Sequence, residues 1–421
     1  MTFLQHRHGS RGRGIRTVLL TVLLLALIPP VRLAAEEIWL FNDKRIYGLV
    51  EKATKDGKIS VFLPSGKQIE LPLSHVIAIR FLGRNALLIQ SGTQEFRLTD
   101  GSALRGQILG NVSNKVQVDT AMAGILEMDL AYAQGFLSLP MIGLHSLKAE
   151  ELVLGDTDRG RINDLVIDRR GSEIAGVVRK LERTTLHLDI DQLLQVKPLR
   201  ILYLKGVRLA DAARKKLKGW TGDVRVTVQG RDNSRILAEL TDIRFNRWAL
   251  KVEWHPEAPI DTAVDEISLV RVLGGRVQYL SQLTPIDVKE QTILAPPQPY
   301  QLDRNCQKGS LFIAGKRYPW GIGVHADSEL TFPINKRFKE FRADVGVDSG
   351  VDDRGSVIFE VLGDGKSLYR SPVVRGSDKT PRPVKVTVAN VSRLTLKVTN
   401  AGDLDLGDVA NWGAARVLKA W

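Results

Sequence analysis

From Glu36 onward, apolar residues recur at every second position in runs too short for a stable helix. Examples are Ile59-Ser60-Val61-Phe62, Leu186-His187-Leu188-Asp189 and Leu394-Thr395-Leu396-Lys397-Val398. Successive side chains of a strand point to opposite faces, so this period gives each run one face to bury and one for water. Turn residues punctuate the runs, and 37 glycines and 17 prolines supply them. A chain patterned this way folds as sheets, and the expected class is all-β. The apolar fraction of 43% is enough for packed cores.

Between Glu36 and about Gly275 the runs repeat in a fixed order. Each unit opens on a short alternating strand: Ile38-Trp39-Leu40, Phe96-Arg97-Leu98, Leu165-Val166-Ile167 and Val224-Arg225-Val226. A polar turn follows, then an apolar residue, a spacer and a small residue: Ile46-Tyr47-Gly48, Leu104-Arg105-Gly106, Ile174-Ala175-Gly176 and Ile236-Leu237-Ala238. A second alternating strand and a closing apolar run, such as Val76-Ile77-Ala78-Ile79, complete the unit. The spacing predicts four units, at 36–84, 87–140, 162–207 and 221–275, built as small β-barrels or β-hairpin units. A glycine inside a strand marks a bulge or sharp bend, and the expectation is that Gly48, Gly106 and Gly176 adopt special backbone angles. The order of strand, turn, strand and glycine resembles the opening of Sm-like and SH3-like barrels. Met141 to Arg161 reads as a connector, and Leu209 to Leu217 reads as a second connector with a short helix.

The first 35 residues have a different character. They carry Arg7, Arg11, Arg13, Arg16 and Arg32 without one acid, then an apolar run from Val18 to Ile28, Pro29-Pro30 and a small-residue site at Ala34-Ala35. This is the order of a secretory signal, so 1–35 is expected to be removed and the mature chain to be secreted, periplasmic or held at the cell envelope. An uncleaved N-terminal membrane anchor is the alternative, and no second long apolar run follows. The formal charge is +13. That excess suits acidic glycans or anionic envelope surfaces, including envelope proteins, and equally serves solubility. Export argues against nucleic acid as a partner. Cys306 is the single cysteine, so no internal disulfide is available.

Thr284-Pro285 and Ala295-Pro296-Pro297-Gln298-Pro299 are too rich in proline for a helix or a central strand, and 285–299 is expected to be a linker. Residues 300–421 return to alternating strands, with the turn Gly363-Asp364-Gly365-Lys366 between two of them, and read as one antiparallel β-sandwich. Here Gly321-Ile322-Gly323-Val324-His325-Ala326-Asp327-Ser328 is followed by Phe341-Arg342-Ala343-Asp344-Val345-Gly346-Val347-Asp348, then Gly355-Ser356-Val357-Ile358-Phe359-Glu360-Val361. Ala401-Gly402-Asp403 and Asp408-Val409-Ala410-Asn411-Trp412 close the series. In order and content these resemble the NPCBM family of carbohydrate-binding-type modules, also described with family 98 glycoside hydrolases, over residues 296 to 419. The resemblance implies a galactose-binding-like jelly-roll sandwich that binds a glycan or polysaccharide without catalysis. The family's usual ending is closer to Asp-His-Ala-Asp-Trp, from which this chain departs at Val409 and Asn411.

A sugar site needs an aromatic plate and several polar groups. Tyr318, Trp320 and His325 supply that inventory within eight residues, and core packing is the competing reading for Trp320 and His325. Asp348, Asp352 and Asp353 cluster in one turn, and Asp403, Asp405 and Asp408 in another, with Asp348, Asp352, Asp403 and Asp408 as the candidate metal ligands. Such carboxylates could hold a structural Ca²⁺, act as glycosidase acid and base, or cap turns through the backbone. Gly321-x-Gly323-x-x-Ala326 matches a dinucleotide fingerprint by letters, but no βαβ unit surrounds it. The chain lacks a P-loop, a Gly-x-Ser-x-Gly elbow and a His-Glu-x-x-His pair. A non-catalytic glycan-binding or envelope-interaction protein is therefore expected. The alternatives are a glycan-targeted hydrolase whose middle region is catalytic, and a protein-binding scaffold.

Overall fold

A computed structural model describes residues 36–419, apart from 43, 54–56, 113–114, 140–161, 191–194, 212–213, 216, 218–223, 245, 295–297 and 352–353. The expected signal at 1–35, the connector at 141–161 and parts of the expected helix at 209–217 and linker at 285–299 lie outside the described residues. All the described longer elements are strands.

The four repeats fold into four five-stranded units with one plan. The first comprises β1 (Glu36–Leu40), β2 (Arg45–Ala53), β3 (Lys58–Phe62), β4 (Gln68–Pro72) and β5 (Val76–Phe81). The second comprises β6 (Gln94–Leu98), β7 (Ala103–Val112), β8 (Lys115–Thr120), β9 (Gly124–Met128) and β10 (Ala133–Ser138). The third comprises β11 (Asp164–Asp168), β12 (Glu173–Leu181), β13 (Thr185–Ile190), β14 (Gln195–Arg200) and β15 (Leu204–Arg208). The fourth comprises β16 (Arg225–Gly230), β17 (Arg235–Arg244), β18 (Arg247–Lys251), β19 (Ile260–Ala263) and β20 (Ile267–Leu273). In each, the first strand lies between the second and the fifth, and one turn of 3₁₀ helix precedes the fifth. The long second strand pairs with the first strand through its front half and with the third through its back half, which curls the sheet on itself.

That curl needs two local devices. The first is a small residue at the crossing. A Cβ on Gly106 would lie 2.5 Å from the Asp119 carbonyl oxygen, and one on Gly176 would lie 2.4 Å from that of Asp189. Neither glycine has left-handed backbone angles, nor does Gly48. The expectation of special angles is thus corrected: these positions need glycine because another strand passes too close for a side chain. The second device is a bulge that begins two residues further on, where the second strand has run past the end of the first and a backbone N–H on that side has no ladder partner. In three units an acceptor at the start of the first strand meets that N–H. Glu36 accepts from Val50 N at 2.9 Å, Gln94 from Ile108 N at 3.0 Å and Asp164 from Val178 N at 2.7 Å. The fourth unit has its bulge at Leu240 but carries Val226 at the acceptor position.

The units associate by their equivalent edges. Ile79, Phe136, Val207 and Val270 occupy one register position, each opposite the central residue of its own first strand. Between units, Ile79 lies opposite Val270 and Phe136 lies opposite Val207. Units one and four, and units two and three, are thus joined with the same residue on each side, the signature of a local two-fold. A third contact of this kind joins units two and four. Ala103 lies opposite Arg235, Ser102 Oγ accepts from Leu237 N, and Ser234 Oγ accepts from Arg105 N, both at 2.9 Å. Asp100 and Asp232 orient those serines through matching turns.

The rest of the chain forms the expected sandwich, whose strands are β21 (Val277–Tyr279), β22 (Asp287–Glu290), β23 (Gln301–Leu302), β24 (Leu311–Ile313), β25 (Lys316–Tyr318), β26 (Gly321–His325), β27 (Ser328–Pro333), β28 (Glu340–Val347), β29 (Ser356–Gly363), β30 (Lys366–Arg370), β31 (Val374–Arg375), β32 (Arg382–Thr387), β33 (Arg393–Asn400) and β34 (Val409–Leu418). One sheet runs β23-β26-β34-β28-β32 and the other β22-β27-β33-β29-β30. Phe332, Phe341, Phe359 and Trp412 fill the space between them. The sandwich begins earlier than expected. β21 follows β20 after three residues and pairs with β34, and β22, inside the stretch expected to be a linker, pairs with β27. Its four residues sit on an edge, which tolerates flanking prolines.

The crowding at the crossing gives a prediction. Gly106→Val should destabilise the chain by about 1–3 kcal/mol through overpacking against β8. Unfolding in denaturant measures it, and an unchanged midpoint would mean that β8 does not pass over Gly106.

Candidate functional site

The structure divides the expected sugar triad. Tyr318 ends the hairpin β24–β25 and is buried, its hydroxyl donating to Asp344 Oδ2 at 2.7 Å. Burial and the adjacent Asp344 carboxylate push its phenol pKa up, so it stays a neutral donor. Trp320 is 4% exposed and stands against Trp39 of the first unit, with ring centres 4.7 Å apart, and Tyr279, at 4.8 Å. Ile77, Ala78, Val277 and Leu418 complete this cluster, so Trp320 is the apolar seam between repeats and sandwich and offers no free plate. His325 lies at the far end of β26, about 16 Å from Trp320 at the usual rise per strand residue. It too is buried, with Nδ1 2.6 Å from the Ala326 carbonyl oxygen.

His325 belongs instead with the acidic residues. It pairs with Val409 at the start of β34, and Asp348 N donates to the Val409 carbonyl at 2.8 Å. Asp348 and Asp408 therefore meet at the same end of the sheet, both almost wholly buried. Asp348 caps the turn after β28, accepting from Gly350 N at 2.8 Å, and takes a 2.6 Å bond from Asn411 Nδ2. The departure at Asn411 has a physical reading here. An aspartate at that position would set two buried carboxylates against each other, whereas the amide donates.

Asp408 Oδ1 accepts from Ser356 N at 2.8 Å, and its Oδ2 has no hydrogen-bond partner among the described residues. Asp403 receives the Ser356 hydroxyl at 2.6 Å. Asp405, of the same acidic cluster, accepts from Ile293 N and Leu294 N at 2.6 and 2.9 Å and ties the segment after β22 to this end. Burial, with Asp403, Asp405 and Asp327 nearby, pushes the Asp408 carboxyl up to about 7. The loops interlock closely: a Cβ on Gly355, whose φ is +90°, would lie 2.2 Å from the Gly407 carbonyl oxygen.

Of the alternatives open for these carboxylates, the described contacts are those of turn caps. Asp403 and Asp408 converge on Ser356, Asp348 is turned to Asn411, and Asp352 lies outside the described residues. Among the described residues no group of three or more His, Cys, Asp or Glu side chains has the arrangement to hold a metal ion. The carboxylates serve as acceptors for backbone turns. Cys306 is buried, donates to Gln298 Oε1 at 3.3 Å and has its thiol pKa pushed up to about 12 by burial, which suits no nucleophile.

Tyr318 and Trp320 line a groove of about 560 Å³ between the sandwich and the first unit, with Trp39 and Tyr279 on its walls. The sequence reading missed the basic side chains there. Their signal was two Lys-Arg pairs beside aromatics, Lys44-Arg45 and Lys316-Arg317, 272 positions apart.

Residues 276–418 match the NPCBM/NEW2 domain family. Over 108 residues the chain is 32% identical to a protein of Renibacterium salmoninarum named as an endo-alpha-N-acetylgalactosaminidase, a stretch that is 26% of this chain and 7% of that protein. Over 77 residues it is 39% identical to an Akkermansia muciniphila protein named alpha-1,3-galactosidase B, covering 18% of this chain and 10% of that one. The chain thus matches a tenth or less of either relative's length. Among solved structures, a CBM51 module of Clostridium perfringens GH95 in complex with methyl-galactose is similar at 29% identity, covering 34% of this chain and 99% of that one, with a TM-score of 0.31. No helix among the described residues is long and apolar enough to cross a membrane.

Two outcomes test this description. Trp320→Ala should cost about 3–5 kcal/mol of stability, as expected for a truncated buried tryptophan, and calorimetry of the whole chain reads it. Asp408 should make stability pH-dependent. Its folded pKa lies above its unfolded one, so the folded state holds a proton that the unfolded chain has already released. Stability is then lost as pH rises from about 4 to about 7 and is level above that. Asp408→Asn should raise the unfolding midpoint at pH 8 and leave it nearly unchanged at pH 3.5. Equal shifts at both values would contradict a buried, protonated Asp408.

Proposed function

We propose that the protein is exported and binds glycans through its C-terminal sandwich without hydrolysing them, working at the cell envelope or outside the cell. The observation that carries this reading is the match of residues 276–418 to a carbohydrate-binding-type domain family. Both curated relatives are named for enzymes acting on galactose or N-acetylgalactosamine linkages, so sugars of galacto configuration are the ligand class of choice. Only a small part of each relative is matched, so their activities do not come with the likeness.

With Trp320 taken up by the seam, the polar end of the sandwich is the better place for the sugar. His325 and the half-buried Asp327 and Asn400 stand there, with Asp403 exposed beside them. A sugar seated on few groups at a wet rim recovers little of its ordering cost, so a Kd of about 10 µM to 1 mM is expected. The signal-like order of residues 1–35 supports export, and N-terminal sequencing near Glu36 would check it.

Calorimetric titration of the whole chain with galactose, N-acetylgalactosamine and their α-linked disaccharides tests the binding. Saturable binding, weakened at least tenfold in the exposed Asp403→Ala and in His325→Gln at temperatures where each variant stays folded, is the expected result. Absence of binding across a glycan array would overturn the reading. Release of free sugar by the chain would replace it with the hydrolase alternative.

A further inference from the structure

The groove between the first unit and the sandwich has a charge that neither packing nor the polar end of the sandwich explains. Lys44 and Arg45 line it from the repeat side, and Lys316, Arg317, Arg342 and Lys385 from the sandwich side, with Arg416 at the floor. Asp344 is the single carboxylate among the described lining residues. Flanking acids neutralise part of the excess: Glu37 pairs with Arg45 at 2.8 Å, Asp344 with Lys316 at 3.1 Å, and Glu340 is shared by Arg342 and Lys385. Lys44 and Arg317 are exposed, and neither is ion-paired to a described residue. Like charges gathered in one cleft repel, and the repulsion is relieved when an anion enters.

The cations are also held in place. The Arg45 guanidinium sits 4.5 Å over the Trp39 ring and the Lys316 ammonium 4.7 Å over the Tyr318 ring. Cation–π contact fixes each head against its wall, so less side-chain freedom is lost when a ligand arrives. The volume falls within the range of ligand-sized clefts.

We infer that this groove is a second binding site, for an anionic saccharide carrying sulfate or carboxylate groups. Cations on facing walls suit a single extended chain that lies between them, where a bilayer would present its charge in a plane. The choice of a saccharide over other polyanions rests on the glycan-binding reading above. The site itself is separate, at the opposite end of β26 from His325, and needs the repeats as well as the sandwich.

The test uses the whole chain and two probes: a heparin-derived hexasaccharide for the groove and a neutral galactoside for the polar end. The hexasaccharide should bind with an affinity that falls steeply between 50 and 300 mM NaCl. Lys44→Glu with Arg317→Glu should weaken it at least tenfold, leaving the unfolding midpoint and galactoside binding as they were. No saturable hexasaccharide binding, or equal binding by the double variant, would overturn the inference. Tighter binding of single-stranded DNA or of phosphatidylglycerol vesicles, lost in the same variant, would overturn the saccharide assignment. Loss of galactoside binding alone would count against the polar-end site and leave the groove standing.

Discussion

The contact of Trp320 with Trp39 and Tyr279 is the interaction on which the arrangement of this molecule turns. Two indoles and a phenol ring meet with centres under 5 Å apart, and the apolar ends of β5, β21 and β34 close around them. Rings of this size remove a large apolar area from water at one point, and edge-to-face packing adds to it. Arg271 of the fourth unit reinforces the joint, paired with Asp303 of the sandwich at 2.9 Å and set 5.7 Å over the Trp320 ring. Since β20 and β21 are three residues apart, the sandwich has little reach from the repeats. The seam thus spends Trp320 on joining two bodies, and the groove beside it exists because the joint brings two basic surfaces face to face.

The repeats achieve regularity by a different route. Their sequences share few residues, yet each supplies a close-approach position on the second strand and a bulge beyond it. In three of them a side-chain acceptor from the first strand meets the bulge N–H. An unpaired buried N–H is costly, so Glu36, Gln94 and Asp164 do one job with two kinds of acceptor, a carboxyl and an amide. The first of these is not neutral in its effect: burial pushes the Glu36 carboxyl up to about 7. Equivalent edges then pair with equivalent edges, which satisfies the outer side of each fifth strand and removes a liability that four separate small sheets would carry.

Much of the fold was legible in the residues. Alternation located the strands, the glycines at 48, 106 and 176 aligned the units, and the run from Gly321 to Trp412 identified the module. The reason given for the glycines was mistaken, because a residue with ordinary φ can still be confined by a strand from elsewhere in the chain, and sequence carries no distance. The linker was misjudged for a related reason: proline bars the interior of a sheet, but an edge strand of four residues fits between prolines. At the site, Tyr318, Trp320 and His325 lie close in sequence, but an extended strand separates its ends by its full length. The carboxylates at 348 and 408 left metal binding, acid–base chemistry and turn capping open in the sequence, and their contacts to backbone donors are those of turn caps.

What the sequence by itself determined is local: period-two patterning, turn chemistry and the class of the C-terminal module, all of which depend on neighbours within a few residues. What only the tertiary structure decided is which surfaces meet. Trp39 and Trp320 are 281 positions apart, and Lys44-Arg45 and Lys316-Arg317 are 272 apart. Nothing in either segment encodes its partner, because burial and charge density are properties of assembled surfaces. The free energy that brings them together comes from apolar area scattered over the whole chain and removed from water only when the sheets have formed.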